Sequence, residues 1–269
     1  MNSRTKKTST FFFVLFVSAV YAFLYVPIIV LVVFSFNKAA FPAPWGGFTF
    51  YWYEQLWYNS DQVWHALYNS LVVSCSATFL SLLMGIALIF YSVRTGGGKA
   101  KKIMNLFYTN LVVPEIVMVV GLLGLFNFFS VPLGKAALIA GHTLLGLGYA
   151  VPLLYVRYEE IDEHLIEASL DLGANYTQTF MKIVFPLLLP ALLVAALLVF
   201  IISFDDFVIS YFCAGTTSQT LPVLLLSMLR TGASPVINAL STGLLVLSSF
   251  LVLGFCLLRV RMNMFNRTD

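Results

Sequence analysis

The chain has 269 residues, of which 60% are hydrophobic and only 10% charged, with a formal net charge of +3. Soluble domains carry about 25% charged residues, and a water-soluble fold of this size has no way to hide so much apolar surface. The composition excludes an ordinary soluble domain, and the small charge, with no basic patch interleaved with aromatics, gives no sign of a nucleic-acid partner.

The bilayer is therefore the expected solvent, and the length suits one membrane domain. A spanning helix needs about 20 apolar residues at about 1.5 Å each. The first candidate is 11–36, behind a basic leader of Arg4, Lys6 and Lys7. It is about twice as long as a signal-peptide apolar region and lacks a clear cleavage site, so it reads as an uncleaved anchor. A loop rich in aromatics follows, with Trp45, Trp52, Tyr53, Trp57, Tyr58 and Trp64. It reads as an interfacial belt, or alternatively as a surface for a partner or a cationic ligand. The second span is 66–91. After it, RTGGGKAK (94–101) invites a phosphate-loop reading and fails it. Val93 stands where the first glycine belongs, and Ala100 where Ser or Thr belongs.

The third span is 103–129. It contains Pro114, expected to kink the helix or free a carbonyl, and Glu115, placed about 18 Å from the cytoplasmic end by helical rise. The fourth span is 136–155. Next comes EEIDEHLIEASLDLGANYTQTFMKIVFPLLLP, beginning at Glu159. Ile161, Leu165, Ala168 and Leu172 share a helical face, and Gly173 is placed to end that helix. Asn175 is placed to cap a second helix, with Gln178 as its capping-box partner. Two short helices with a sharp bend are expected, the second leading into Pro186 and Pro190 at the foot of the fifth span, 187–212. That span ends in SFDDFVIS, with Asp205 about 27 Å up the helix. The apolar piece 221–229 is too short to span and reads as an interfacial or re-entrant helix broken off at Gly232 and Pro235. The sixth span is 236–258.

With the N-terminus in the cytoplasm, one side collects 12 of the 15 Lys and Arg residues. The other holds only Lys38, Lys135 and Arg230. This asymmetry places both termini inside. Cys75, Cys213 and Cys256 are scattered, as are His65, His142 and His164, and no metal-ligand spacing appears. No nucleophile–base pair stands out, so the chain is not expected to hydrolyse ATP itself.

EASLDLGANYTQTFMKIVFPLLLP resembles the EAA loop of ABC importer permeases, at Glu167, Ala168, Leu172, Gly173, Ala174, Phe180, Ile183, Pro186 and Pro190. Ser169 and Phe185 depart from that pattern where alanine and leucine are usual. YAFLYVPIIVLVVFSFN, PEIVM, SFDDFVIS and SPVINALSTGLLVLS extend the likeness over nearly the whole chain, which is similar to the PotC-type permeases of spermidine/putrescine importers. The resemblance implies an all-α, six-helix type I ABC importer permease fold over residues 1–269, in the bacterial cytoplasmic (inner) membrane. It implies a loop at 159–186 that docks on an ATPase through Glu167, Ala168, Leu172, Gly173, Ala174 and Phe180. The implied partners are a second, PotB-like permease, two PotA-like ATPases and an extracytoplasmic PotD-like polyamine-binding protein. This chain then binds no cofactor, and ATP and Mg are used by the ATPase.

Three acids lie within the apolar runs: Glu115, Asp205 and Asp206. Each costs roughly 2.5–3.5 kcal/mol at a helix centre, and such residues usually mark a path. Two acidic levels, Glu115 near the midplane and the aspartates near the outer mouth, would suit a slender polycation. Phe204, Phe207 and Tyr211 are candidates for cation–π contacts. The plainer alternative is that the aspartates cap a helix end or pair with a basic residue such as Arg230. Periodicity favours Asp206 for a wet face, shared with Ser203, Ser210 and Cys213. The family resemblance favours Asp205, and both stay open. Rival readings are the same machine with another cargo (iron, sulfate or an amino acid), an ion-coupled carrier or channel, and a scaffold without transport.

Overall fold

In hydrocarbon every backbone N–H and C=O must be satisfied within the segment, so helices are the expected elements. The structure, a computed structural model, describes residues 3–39, 44–95, 98–231 and 235–265. Among the described residues the regular elements are all helices, with one isolated bridge between Asn37 and Phe48. The helices are α1 (Ser3–Phe34), α2 (Tyr51–Tyr58), α3 (Asp61–Thr95), α4 (Gly98–Asn110), α5 (Glu115–Phe128) and α6 (Lys135–Glu159). They continue as α7 (Glu163–Asp171), α8 (Tyr176–Thr179), α9 (Phe185–Asp205), α10 (Val208–Cys213), α11 (Leu221–Thr231) and α12 (Pro235–Phe265).

Four described helices are long and apolar enough to cross a membrane: Phe13–Phe34 of α1, α3, α6, and the continuous helix Tyr176–Asp205. The α4–α5 pair makes a fifth if the two are one span. This pair corrects the expectation of one helix over 103–129. The chain bends by 108° between α4 and α5. Pro114 explains the break, since it removes an N–H and keeps Val113 out of the helical region. The fifth expected span also differs. Its helix begins at Tyr176, well before residue 187, and is interrupted after Asp205. The short apolar helix α11 lies where expected. Its proposed stop at Gly232 falls outside the described residues, as do Gly96 and Gly97 of the glycine run and Arg267. The side chain of Cys256 is likewise not described.

The chain forms two units, residues 1–61 with 225–269, and residues 62–224. In the first, α12 packs against α1 and α2. The aromatic loop is partly structural. The buried Asn37 accepts the Gly46 N–H at 2.7 Å through Oδ1, and its carbonyl accepts Trp52 Nε1–H at 2.8 Å. Phe36 stacks on Phe48 at 5.2 Å and meets Phe50 edge-on. Trp45, Trp57 and Tyr58 remain exposed.

In the second unit α6 is central, with α9, α4 and α10 packed on it. Its small residues allow this. A Cβ on Gly146 would lie 2.5 Å from Ser81 Oγ and 2.7 Å from Val199, so glycine lets α3 and α9 approach α6 closely. Ser81 Oγ–H donates to the Thr143 carbonyl at 3.1 Å across the same contact. One apolar cluster, with Ile89, Val151, Leu154, Phe180 and Leu188, sits where the loop 159–186 joins the helices. A second, with Val73, Val119, Leu138 and Ile209, joins α3, α5, α6 and α10.

Candidate functional site

Two helix breaks meet in the second unit. At the first, Asn110 ends α4 and donates its Nδ2–H to the Leu144 carbonyl of α6 at 2.8 Å. It lies so close to Gly148 that no side chain fits there. Pro114 then starts α5, and Glu115 occupies its first turn, where an acid suits the positive end of the helix dipole. At the second break, Asp206 follows α9 in an extended conformation (φ −65°, ψ 126°). Neither proline nor glycine causes it. The Asp206 carboxylate turns back and accepts the Ser210 N–H at 3.0 Å through Oδ2, satisfying a donor at the start of α10.

The breaks open an acidic cleft of about 310 Å³. Glu115, Asp205 and Asp206 line it, with Tyr149 and Phe207 as aromatics and Leu145, Ile201 and Ile202 as apolar walls. Asp205 is exposed, whereas Asp206 is only 7% exposed. Glu115 and Asp206 line the same cleft. The expectation of two acidic levels is therefore corrected: the acids form one group. Helical rise along a straight span separated them, and the 108° bend removes that premise. The polar face of Ser203, Asp206, Ser210 and Cys213 is also not open to water as expected. It is buried, and Asp206 reaches the cleft from its edge. The plainer expectation of a capping aspartate holds for Asp206. Both aspartates nonetheless line the cleft.

Of the expected aromatics, Phe207 lines the cleft and packs on Tyr211 at 5.3 Å. Phe204 stacks on Phe200 at 5.7 Å, and Tyr211 also meets Phe212 edge-on. Tyr149 and His142 were not expected. His142 is 1% exposed, with Nδ1 at 2.8 Å from Ser203 Oγ and Nε2 at 3.3 Å from Ser210 Oγ. The available signal was their helical register on α6: His142, Leu145 and Tyr149 fall three and four residues apart, on one face.

The loop 159–186 folds as its residue types require. Asp162 caps α7 by accepting the His164 N–H at 3.0 Å. Gly173, at φ +88°, ends it, with Ala174 N–H donating to the Ser169 carbonyl and Gly173 N–H to that of Leu170. Asn175 and Gln178 form the reciprocal capping box. Ser169, one of the two departures from the EAA pattern, bonds Thr179 hydroxyl-to-hydroxyl at 3.0 Å and ties the two helices of the bend. Phe180 is 2% exposed and meets Phe90 of α3 edge-on at 5.2 Å, so it anchors the hairpin rather than offering a surface. Ile166 is buried too. Leu165, Glu167, Ala168 and Leu172 face out, Leu172 at 89% exposure, and Ala174 is half-buried. This leaves an apolar stripe uncovered within the chain.

The sequence family described as "Binding-protein-dependent transport system inner membrane component" matches residues 77–265. The chain is 39% identical over 243 residues to the spermidine/putrescine transport system permease protein PotC of Escherichia coli K12, covering 89% of this chain and 90% of that one. It is 37% identical to the PotC permease of Haemophilus influenzae, covering 88% and 92%. It is 33% identical to the putrescine transport system permease protein PotI of Escherichia coli K12, covering 87% and 85%. In fold it is similar to a chain of a bacterial ABC transporter involved in import of the acidic polysaccharide alginate. That match has a TM-score of 0.73 and 15% identity, and covers 94% of this chain and 98% of that one.

Proposed function

The chain belongs to the family of inner membrane components of binding-protein-dependent transport systems, and we propose on that premise that it is the permease subunit of an ATP-driven polyamine importer. Its cargo class is that of its relatives, spermidine and putrescine. The observation that carries the reading is the acidic cleft. Three carboxyl groups converge on about 310 Å³ among apolar and aromatic walls, and among the described residues no Lys or Arg pairs with them. A cluster of this kind favours a cation, because ammonium groups relieve the mutual repulsion of the acids and replace the water they lack. Tyr149 and Phe207 line the same cleft and are the candidates for cation–π contacts with that group.

In this reading residues 1–269 act as one permease domain with six spans and both termini in the cytoplasm, α4 and α5 making one broken span. Glu167, Ala168 and Leu172 dock on an ATPase, Gly173 and Ala174 set the bend, and Phe180 holds the hairpin to α3. The remaining subunits are a second homologous permease, two ATPases that use ATP and Mg, and an extracytoplasmic binding protein. Transport proceeds by alternating access, with the binding protein delivering cargo and the hairpin carrying the ATPase stroke to α9.

The test is radiolabelled spermidine uptake into vesicles holding the subunit and its purified partners, with and without ATP. Uptake is expected to require ATP and to fall at least tenfold in the combined Glu115→Gln, Asp205→Asn, Asp206→Asn variant, about 1.4 kcal/mol per factor of ten. Unchanged uptake in that variant would remove the assigned role of the acids, and uptake driven by a proton gradient without ATP would overturn the importer reading.

A further inference from the structure

Behind the cleft lies a polar cluster that the transport reading leaves unused. His142 projects from α6 and engages Ser203 in α9 with one ring nitrogen and Ser210 in α10 with the other. The ring therefore bridges the break that Asp206 occupies. Its Nε2 also lies 3.5 Å from Asp206 Oδ2, the oxygen that accepts the Ser210 N–H. Oδ2 is thus an acceptor, best served by a donor on the nitrogen that faces it. A neutral imidazole has one N–H. Placing it on Nε2 leaves Nδ1 to accept the Ser203 O–H, and one tautomer then satisfies both ends of the ring.

We propose that His142 is a positioning residue for transport, which holds the Asp206 carboxylate in the orientation that meets the ammonium group of the cargo. The inference rests on the reading of Asp206 as part of the cation path. Its physical basis is the geometry of the break. Asp206 sits on extended backbone at the break between α9 and α10. The Ser210 N–H donates to Oδ2 and His142 Nε2 lies 3.5 Å from it, and neither residue lines the cleft. Oδ1 lies outside both contacts. Without Nε2 the carboxylate swings about its bond to the Ser210 N–H, and a displacement of about 1 Å in a positioned group is enough to cost one to two orders of magnitude in rate. A ring that merely filled space between α6, α9 and α10 would need neither serine.

Substitutions separate the two roles. His142→Gln places an amide near the position of Nε2, His142→Met fills the volume with no donor, and His142→Asn keeps reach only to Ser203. In vesicles with the complete importer, spermidine uptake is measured per amount of subunit in the membrane, alongside Asp206→Asn. The Gln variant is expected within about twofold of the native rate, and the Met and Asn variants down about tenfold or more. Native uptake in the Met variant, or equal losses in Gln and Asn, overturns the positioning role in favour of packing. If the Met variant fails to accumulate, the comparison of Gln with Asn decides alone. Native uptake in Asp206→Asn sinks the path reading itself. Loss there, with native uptake in Met, sinks only the inference about His142.

Discussion

Asp205 and Asp206 are neighbours in sequence with different surroundings: one exposed on the last turn of α9, the other held by Ser210 at the break. Periodicity identified the face that Asp206 shares with Ser203 and Ser210. It did not identify what covers that face, because His142 lies 61 and 68 residues away from its serine partners, and its register on α6 does not show which helix that face meets. Glycines show the same limit. Gly124 and Gly146 look alike in sequence, yet a Cβ at Gly124 meets nothing within 4 Å, while at Gly146 it meets Ser81 and Val199. Gly146→Ala is therefore expected to destabilise the solubilised protein by about 1–3 kcal/mol through overpacking. Gly124→Ala should be neutral or stabilising by up to about 1 kcal/mol, since alanine favours the helix. Thermal unfolding of the two variants checks this, and equal shifts would refute the close-packing account of α6.

Among the elements, the hairpin of α7 and α8 was the most legible, because its caps are local. Gly173, Asn175 and Gln178 each act on backbone within a few residues. The broken helices were less so. Pro114 announced a disturbance but not a bend of 108°, nor that Asn110 beside it reaches the Leu144 carbonyl of another helix. The break at Asp206 had no proline or glycine to announce it, only a side chain that competes for a backbone donor. The hairpin carries its own prediction. Gly173 holds φ +88°, which proline cannot adopt. Gly173→Pro is expected to leave the subunit in the membrane, ATP hydrolysis by the partner measurable, and spermidine uptake reduced at least tenfold, or about 1.4 kcal/mol. Paired assays of hydrolysis and uptake check this, and native uptake would sink the coupling role of the bend.

For the whole molecule, composition announced a membrane protein, and charge carries an expected orientation: with the N-terminus in the cytoplasm, 12 of the 15 Lys and Arg residues fall on that side and 3 on the other. Single-cysteine variants in a cysteine-free background test it. Lys7→Cys and Arg267→Cys should react with a membrane-impermeant maleimide only after permeabilisation, and Lys38→Cys in intact spheroplasts. Labelling of Lys7→Cys in intact spheroplasts would reverse the topology. Composition did not announce the shaft that joins the hairpin to the cleft. The helix Tyr176–Asp205 runs 30 residues, about 45 Å, from the capping box of the hairpin to the acidic cleft. Near its base, Phe180–Val184 is wound as a π turn, which holds one residue more than an α turn. A residue is worth about 100° of rotation and 1.5 Å of travel. Tightening that turn would act as a gear as well as a push rod: it would advance the far end slightly and turn it through more than a quarter of a circle. The phase of the shaft, as much as its length, thus sets whether Ile201, Ile202 and Asp205 face the cleft.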